Sequence, residues 1–553
     1  MEKFYSKVFL TAALLGTALS ASANEPTSDA KTPAAVLTFA PGTEAVRIGT
    51  GGNSGYEFSI DWGDGVEETY NEQAYYTHLL AGDTVKIYGD GIVLVYANMQ
   101  GVVSADISNA PNMIQVQFIG NDMETLTLGD NPSLTGLYAY ENKLSSIDLS
   151  KCPALRVIDL HVNAIEGDID CSAMSALSKI DVADNQISSL TLPKHSTVYE
   201  IDCSNNLLTQ LDVTGLDGLS SLSCGGNLLT ELDLTGLDAV EEVYAGTNKL
   251  TTIDATPCSN LSTLMVTENE LTSLTIDSNT SLQGLYLQDN KLSTLDITPN
   301  TNIRWLNIQN NEVSELDVTN QPNLSILIAS GNELSSIDLS NNTRLSSLDL
   351  ADNALTTLDV TAIPYLSQFH FEGNRISDID LSKNLYLYGL FCGRNELTAL
   401  DLTTNTYLQR LEAEENKLTQ LNLTANQGLQ EVLIQGNDMA VEAIDEVIAA
   451  LPDVNEVQPS ESSIEFIRKF NISDMPGTAQ ANVAAAEQKG WFVTADTPAS
   501  VTDIAGDSTA TVVSTIYYNA AGISSAEPFD GFNIRVDTLS DGSRRSTKTS
   551  VRR

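Results

Sequence analysis

Histidine, cysteine and acidic side chains are the residues of this chain that could act as bases, nucleophiles or metal ligands. The histidines His78, His161, His195 and His370 are scattered, the cysteines include no Cys-x-x-Cys pair, and no glycine-rich loop opens a predicted helix. Catalysis needs a nucleophile with a base, convergent carboxylates, or metal ligands at a suitable spacing. No such set stands out. The sequence therefore predicts a protein that is not an enzyme and that has no cofactor and no metal site.

The acidic residues exclude some partners. The chain has 553 residues, with 28 Lys+Arg against 73 Asp+Glu, so its formal net charge is −45. Nucleic acids and bare anionic membranes would be repelled by such a chain. Most of the acids recur at a fixed spacing, so neighbouring carboxylates are expected from the repeat alone and are weak evidence for catalysis. To find which side chains lie close together, we therefore first need the spacing at which the sequence repeats.

Asparagine marks that period. It recurs every 21 residues, except for one spacing of 22 between Asn163 and Asn185. Apolar residues lie eight, five and three positions before each of these asparagines and two, five and seven positions after it, as around Asn290. We call these residues the first asparagine column: Asn121, Asn142, Asn163, Asn185, Asn206, Asn227, Asn248, Asn269, Asn290, Asn311, Asn332, Asn353, Asn374, Asn395, Asn416 and Asn437.

This spacing predicts a repeat solenoid that is mostly β. The apolar pair five and three positions before each asparagine has the two-residue period of a strand. One coil cannot bury its apolar edge, but stacked coils share a continuous core. The asparagine amide both donates and accepts, so a stacked column of asparagines can satisfy the backbone groups of the turns. We expect 21-residue coils whose strands form one parallel, concave sheet.

The repeats resemble the leucine-rich repeat family. Phrases such as Leu-Asp-Leu-Thr-Thr-Asn at 400–405 and Ile-Asp-Leu-Ser-Asn-Asn at 337–342 are similar to repeats of Bacteroidetes surface proteins, with a broader likeness to internalin-like repeats. The resemblance covers most of the chain. It implies a leucine-rich repeat solenoid and says less about the ligand.

Cysteine and aspartate occupy defined columns of the repeat. Cys203, Cys224 and Cys392 lie three positions before their asparagines, where other coils have core residues. We expect buried thiols, although Cys203 and Cys224 lie on adjacent coils, and a disulfide is the alternative in an exported protein. Aspartates recur six positions after the asparagine and must face water or gain hydrogen bonds, for which Ser or Thr three positions after the asparagine offers hydroxyls. Weak cation binding is the less favoured reading of that column.

The concave face is the candidate ligand site. Residues four positions before each asparagine should point outward, and apolar members of this column are concentrated in the middle of the repeat array. One explanation of these apolar residues is structural, because aromatic and β-branched residues favour strands and stack across them. The other is functional, because a contiguous exposed patch rimmed by acids is typical of an interface. Trp305 and Ile326, six positions before their asparagines, and Tyr140, two positions before its own, enlarge the patch. The candidate ligand-binding residues are Tyr138, Tyr140, Tyr244, Met265, Tyr286, Trp305, Ile326, Ile328, His370 and Phe391.

The flanks differ from the repeats. Residues 1–23 have the charged, apolar and small-residue layout of a secretory signal, and 105–439 form the solenoid. Residues 36–100 read as a β-rich, sandwich-like cap, in which Asp61 and Asp64 form a tight glycine turn rather than a Ca²⁺ loop. Residues 440–497 form a second cap that begins with a helix over 440–451. Residues 499–553 form a small β module that resembles Bacteroidetes sorting modules, which implies export by type IX secretion machinery.

Two functions from different classes fit these observations. The first is an exported, surface-displayed protein, secreted or associated with the outer membrane, that binds a protein ligand on its concave face in adhesion or in contact with a host or matrix. The alternative is a surface glycan-binding module for nutrient capture, in which Tyr244, Tyr286 and Trp305 stack on sugar rings. A continuous apolar strip favours protein, and widely spaced aromatics with polar neighbours favour sugar.

Overall fold

The computed structural model describes residues 31–52, 56–194, 197–455, 468–496, 512–519, 524–525, 531–539 and 544–551. They belong to two compact units, Met1–Val240 and Glu241–Arg553. The predicted signal segment, residues 1–23, and His195 lie outside the described residues. Both units are built from the same repeating β coil, so the predicted solenoid fold is confirmed.

The first described residues form two sheets of antiparallel strands, to one of which Thr125–Thr127 adds in parallel beside Val102–Asp106. A six-stranded sheet has the spatial order Thr125–Thr127, Val102–Asp106, Ala35–Phe39, Thr84–Tyr88, Phe58–Asp61 and Glu67–Tyr70. In the other sheet, Ala45–Gly52 pairs with Ala74–Leu79 and with Ile92–Tyr96. Ile92–Tyr96 also pairs in parallel with Gln115–Gln117, which is the first coil strand. The cap and the repeats therefore share one continuous sheet.

The turn at Asp61 supports the predicted glycine turn. One carboxylate oxygen of Asp61 accepts the backbone N–H groups of Gly63 and Gly65, each at 2.9 Å. Gly63 and Gly65 have φ of 102° and 79°, a conformation that glycine adopts without strain. The buried Asp61 thus uses its charge to satisfy two backbone donors of the turn.

Short strands of successive coils pair in parallel and in register within each unit. In the first unit they are Gln115–Gln117, Gly136–Tyr138, Val157–Asp159, Lys179–Asp181, Glu200–Asp202 and Ser221–Ser223. In the second they are Glu242–Tyr244, Thr263–Met265, Gly284–Tyr286, Trp305–Asn307, Ile326–Ile328, Ser347–Asp349, Gln368–His370, Gly389–Phe391, Arg410–Glu412, Glu431–Leu433, Lys469–Asn471 and Phe492–Thr494. Further short parallel pairs are Glu166–Asp170 with Gln186–Thr191, and Thr252–Asp254 with Ser273–Thr275.

Apolar side chains of the coil fill the core at the predicted positions. Around Asn290, the side chains of Leu282, Leu285, Leu287 and Leu292 are fully buried. Cys203, Cys224 and Cys392 are buried thiols, as expected, and so are the other three cysteines, Cys152, Cys171 and Cys258.

Within each unit, the first asparagine column ties a coil to the one before it. Oδ1 of Asn290 accepts the backbone N–H of Leu271 at 2.9 Å, and Nδ2 donates to the carbonyls of Val266 at 2.9 Å and Leu287 at 3.0 Å. The residue before each column member has a positive φ, whether it is glycine, as Gly226 is, or β-branched, as Val162 and Thr247 are. This left-handed residue turns the chain so that the amide points into the core.

A second column of buried residues, most of them amides, lies ten residues after the first, and the sequence alone did not single it out. In the 22-residue coil the offset is eleven. We call it the second column: Asn131, Cys152, Met174, Leu216, Leu237, Cys258, Asn279, Asn300, Gln321, Asn342, Ile363, Asn384, Asn405 and Asn426, all buried. Nδ2 of Asn300 donates to the carbonyls of Ile276 at 2.9 Å and Asn279 at 3.0 Å, whereas its Oδ1 accepts no hydrogen bond.

The aspartate column is stabilised by partners other than those predicted. Oδ1 of Asp296 accepts the backbone N–H of Thr298 at 2.9 Å and its hydroxyl at 2.7 Å. These two bonds, the hydroxyl first, lower the pKa of Asp296. The same turn recurs at Asp212 and Asp359. The prediction that hydroxyls three positions after the asparagine serve these carboxylates is therefore wrong, because the residue two positions after each aspartate does so.

The end of the second unit contains the predicted helix. It spans Val441–Ala450 and buries Ile444, Val447 and Ile448. A 3₁₀ turn at Thr478–Gln480 and a short helix at Val483–Gln488 follow. In the tail, the strands Val512–Asn519, Ser524–Ser525, Gly531–Leu539 and Arg544–Val551 form an antiparallel sheet. Among the described residues, no helix combines the length and the apolar composition that a membrane span requires.

Candidate ligand-binding face of the sheet

The outward side of the parallel sheet carries the predicted site residues. In the coil strands from Gln115–Gln117 to Lys469–Asn471 the middle residue is buried, and the residues on either side of it belong to the outward side of the sheet, as Thr263 and Met265 do on either side of the buried Leu264. Side chains of successive coils lie side by side because the strands are in register. We call this side the sheet face and describe it separately for each unit.

The second unit brings six predicted residues together. Tyr244, Met265 and Tyr286 are register partners on three successive strands, and Trp305 pairs with Ile326 on the next two. We call Tyr244, Met265, Tyr286, Trp305, Ile326 and Ile328 the central strip. Asn307 is its one polar interruption, because it is the register partner of both Tyr286 and Ile328. Trp305 is its most accessible member, with 39% of its surface exposed, and the others are half-buried.

Glycine lets the aromatic rings lie against the sheet. A methyl group added at Gly284 would lie 3.0 Å from Cε2 of Tyr286. The same Gly-Leu-aromatic phrase places Tyr138 over Gly136, where the corresponding distance is 3.1 Å. The ring therefore occupies the space above the sheet that a side chain in place of the glycine would fill. It is half-buried there although it is not part of the core. This lowers the conformational freedom that such a ring would lose on binding a ligand.

His370 and Phe391 pack against each other, and Phe391 is less exposed to solvent than expected. Their rings stack with centroids 3.9 Å apart, and the Arg410 guanidinium lies 5.1 Å from the centroid of Phe391. Arg410 also pairs with Glu431 at 2.8 Å. As a result Phe391 is only 7% exposed. The expectation that Phe391 points freely into solvent is wrong, because neighbouring coils supply a ring and a guanidinium that cover it.

The sheet face of the first unit is polar and acidic. Tyr138, Asp159, Asp181 and Asp202 lie in one register column. Tyr140 stacks on His161 with centroids 4.3 Å apart. Burial, followed by the charges of Asp202 and Asp159, raises the pKa of Asp181 to about 6. Tyr138 and Tyr140 thus belong to an acidic surface and not to the central strip.

Comparisons with solved structures identify the architecture. The functional domain of InlJ from Listeria monocytogenes, described as including a cysteine ladder, aligns with TM-score 0.51 and 20% identity over 86% of this chain and 94% of that one. YopM from Yersinia enterocolitica aligns with TM-score 0.50 and 23% identity over 69% and 87%. The fold is a leucine-rich repeat solenoid. The plant peptide hormone receptor RGFR1, in complex with RGF2, aligns with TM-score 0.55 and 19% identity over 73% and 80%.

Two other comparisons gave no match. No protein-family model and no curated protein matches the chain. At these levels of identity, the solved structures establish the leucine-rich repeat fold and leave the ligand to be argued from the surface itself.

An exposed tyrosine column in the second unit was missed by the sequence reading. Tyr365, Tyr386 and Tyr407 occupy the same position of three successive leucine-rich repeats, and their rings stack with centroids 6.1 and 6.3 Å apart. They are 60, 55 and 64% exposed, which is more than any residue of the central strip. Their spacing of 21 residues, nine before the asparagine, is the signal that could have found them.

Proposed function

We propose that this chain is an exported, surface-displayed leucine-rich repeat protein that binds a protein ligand with the central strip of its sheet face. The observation that carries the proposal is the clustering of these side chains on five successive strands. Tyr244, Met265 and Tyr286 are register neighbours in one column, and Trp305 and Ile326 are register neighbours in the adjacent column, which begins beside Gly284. Protein interfaces are enriched in Tyr, Trp and Met at their centres, and charged residues are depleted there. The strip has this composition, although the whole chain is strongly acidic.

Pre-positioned rings support the same proposal. Tyr286 lies over Gly284, and Trp305 lies on the next strand beside it. Aromatic side chains held in place before binding lose little freedom on binding. The peptide receptor RGFR1 provides a precedent for ligand binding on this fold, although its identity of 19% limits the likeness to the fold.

Export is the second part of the proposal. The signal-like segment 1–23 and the sorting-like module 499–553 support it, and the described strands of the tail are compatible with a small separate β module. Deletion of residues 499–553 should leave the repeats folded but strand the protein in the periplasm of a host with type IX secretion machinery. Protease accessibility on intact cells measures this, and normal display of the truncated chain would contradict the sorting role.

The binding proposal is tested by identifying a partner and then removing the anchors. The mature protein would be screened on a panel of extracellular-matrix proteins and on glycan arrays. We expect a protein partner, whose Kd should rise about 30-fold when Tyr286 and Trp305 are both changed to Ala, corresponding to about 2 kcal/mol. A glycan that competes for the same two residues would instead favour the sugar-binding alternative.

The controls use aromatics outside the strip. Tyr386→Ala with Tyr407→Ala removes two exposed rings of the same chemistry from the tyrosine column and should leave Kd unchanged. Gly284→Ala keeps every strip residue but forces the Tyr286 ring away from the sheet, and it should weaken binding while the thermal midpoint changes little. Equal binding by the wild type and the double strip variant would overturn the proposal.

A further inference from the structure

Three side chains of the first unit converge on one point of the sheet face. Nδ1 of His161 lies 2.7 Å from Oδ1 of Asp159 and 3.7 Å from Oδ2 of Asp181. One ligand-type atom from each of the three residues lies within 4.8 Å of the others. Asp159 and His161 are on one coil and Asp181 is on the next. The three side chains therefore come together only when the two coils stack in the solenoid.

Negative charge accumulates around this point. Asp159, Asp181 and Asp202 are register neighbours on three successive strands. Carboxylates directly opposite each other on neighbouring strands repel. The nearby cation, Lys179, pairs with Glu200 at 2.7 Å. The side chains of Asp159 and Asp181 are only 15 and 20% exposed, so water screens this repulsion incompletely.

We propose that Asp159, His161 and Asp181 bind one divalent transition-metal ion of the zinc class. An imidazole nitrogen with two carboxylate oxygens is a ligand set that suits zinc and its first-row neighbours and suits calcium poorly, because calcium takes oxygen ligands. The site lies on the outward face of the sheet, so the remaining coordination positions are open to water or to a donor group of a ligand.

Surrounding contacts position the ligands for this role. Tyr140 stacks on the imidazole and fixes its plane. Oδ1 of Asp181 accepts the backbone N–H of Ala183 at 3.2 Å, which leaves Oδ2 directed toward His161. Neighbouring ligands of a metal ion at zinc-like bond lengths lie about 3 Å apart. The Asp159–His161 pair has this separation already, and a modest rotation of Asp181 would bring in the third ligand.

The second unit supplies a matched comparison. His370 also faces a carboxylate, with Nδ1 3.7 Å from Oε1 of Glu372. In the described residues, however, that histidine belongs to no group of three convergent ligands. His370→Gln therefore removes a histidine from the sheet face of the second unit without removing the proposed site, whereas His161→Gln and Asp181→Asn each remove one ligand.

The test uses the mature full chain without a histidine tag, stripped with EDTA and titrated with Zn²⁺, Co²⁺ and Ca²⁺ by calorimetry. The chain has only four histidines, so selective ¹⁵N labelling of their rings shows which imidazole changes on adding Zn²⁺. We expect one Zn²⁺ per chain, a shift of the His161 ring alone, and visible Co²⁺ absorption bands typical of a nitrogen ligand. Loss of an outer-shell partner alone typically costs about 10–100-fold in metal affinity, so removal of either ligand should weaken Zn²⁺ binding by at least about 100-fold.

Several outcomes would overturn the inference. One is an unchanged His161 resonance in the presence of Zn²⁺. Another is Zn²⁺ binding that survives both His161→Gln and Asp181→Asn, or that is lost equally in His370→Gln. If Ca²⁺ binds the wild type and His161→Gln as tightly as Zn²⁺ does, the ions are only counterions of an acidic surface. Circular dichroism of each variant verifies that the repeats remain folded.

Discussion

The two asparagine columns use the same side chain inside the same coils, yet they differ in what the amide does. In the first column the oxygen of Asn290 is the hydrogen-bond acceptor for the buried N–H of Leu271. In the second column the oxygen of Asn300 accepts nothing, and its Nδ2 donates to the carbonyls of Ile276 and Asn279. Those carbonyls already accept the backbone N–H groups of Asn279 and Leu282.

The difference explains which column varies. A buried N–H without an acceptor costs the desolvation of that group, whereas a carbonyl that loses the second of two donors keeps a partner. The first column is asparagine in every coil from Asn121 to Asn437. The second column alternates between amides and apolar side chains such as Leu216, Cys258 and Ile363, all of them buried. The residue type is therefore constant in the column whose amide oxygen accepts a hydrogen bond, and it varies in the column whose amides only donate.

The largest expected effect contrasts one residue from each column. Asn290→Leu keeps the approximate volume of the side chain but leaves the N–H of Leu271 without an acceptor, so we expect a loss of about 3 kcal/mol in the free energy of unfolding. Asn300→Leu removes donors from carbonyls that retain partners and also removes an unsatisfied oxygen. It should cost about 1 kcal/mol or less. Urea unfolding followed by circular dichroism measures both variants.

Equal effects of the two leucine substitutions would contradict this prediction. If the two substitutions cost the same, the acceptor role of the first column does not control stability, and both columns act only by filling space. A comparison of Asn290→Leu with Asn290→Ala separates the two effects. Only the Ala variant leaves a cavity, so the two should lose similar stability if hydrogen bonding dominates.

The sequence predicted the first column and much of the fold because each rests on a strict period. A 21-residue spacing fixes which residues face the core, and so it also placed Tyr244, Met265 and Tyr286 on one strip. What it could not predict depends on contacts across coils. Phe391 is covered by His370 and Arg410. The second column was not found because leucine, cysteine and isoleucine interrupt it, so no single residue type marks the position.

An intermediate effect is expected when an amide is introduced into the second column. Ile363→Asn would place a donor near the carbonyls of Leu339 and Asn342, as Asn384 does on the next coil with Val360 and Ile363. The new bonds offset part of the lost apolar burial, so we expect a cost of about 2 kcal/mol. Leu366→Asn is the matched control. That side chain is equally buried but lies outside both columns, and it should cost about 4 kcal/mol. Equal losses would show that the second column gives an amide no special accommodation.

The smallest expected effect concerns the residue that turns the chain into the first column. Val162, which precedes Asn163, has φ of 53°, a conformation that is costly for a β-branched residue. Pro299, which precedes Asn300 of the second column, needs no such conformation, since its ring fixes a negative φ. Val162→Gly should therefore stabilise the protein by about 0.5–1 kcal/mol, the relief of the left-handed strain less the extra chain entropy of glycine. Val157→Gly, in a strand of the same coil, removes an identical side chain where φ is negative, and it should destabilise by a similar amount. The midpoints of urea unfolding should thus move in opposite directions. If the unfolding midpoints of Val162→Gly and Val157→Gly shift in the same direction, the left-handed residue before the first column stores no strain. The asparagine alone would then fix the reversal of the chain.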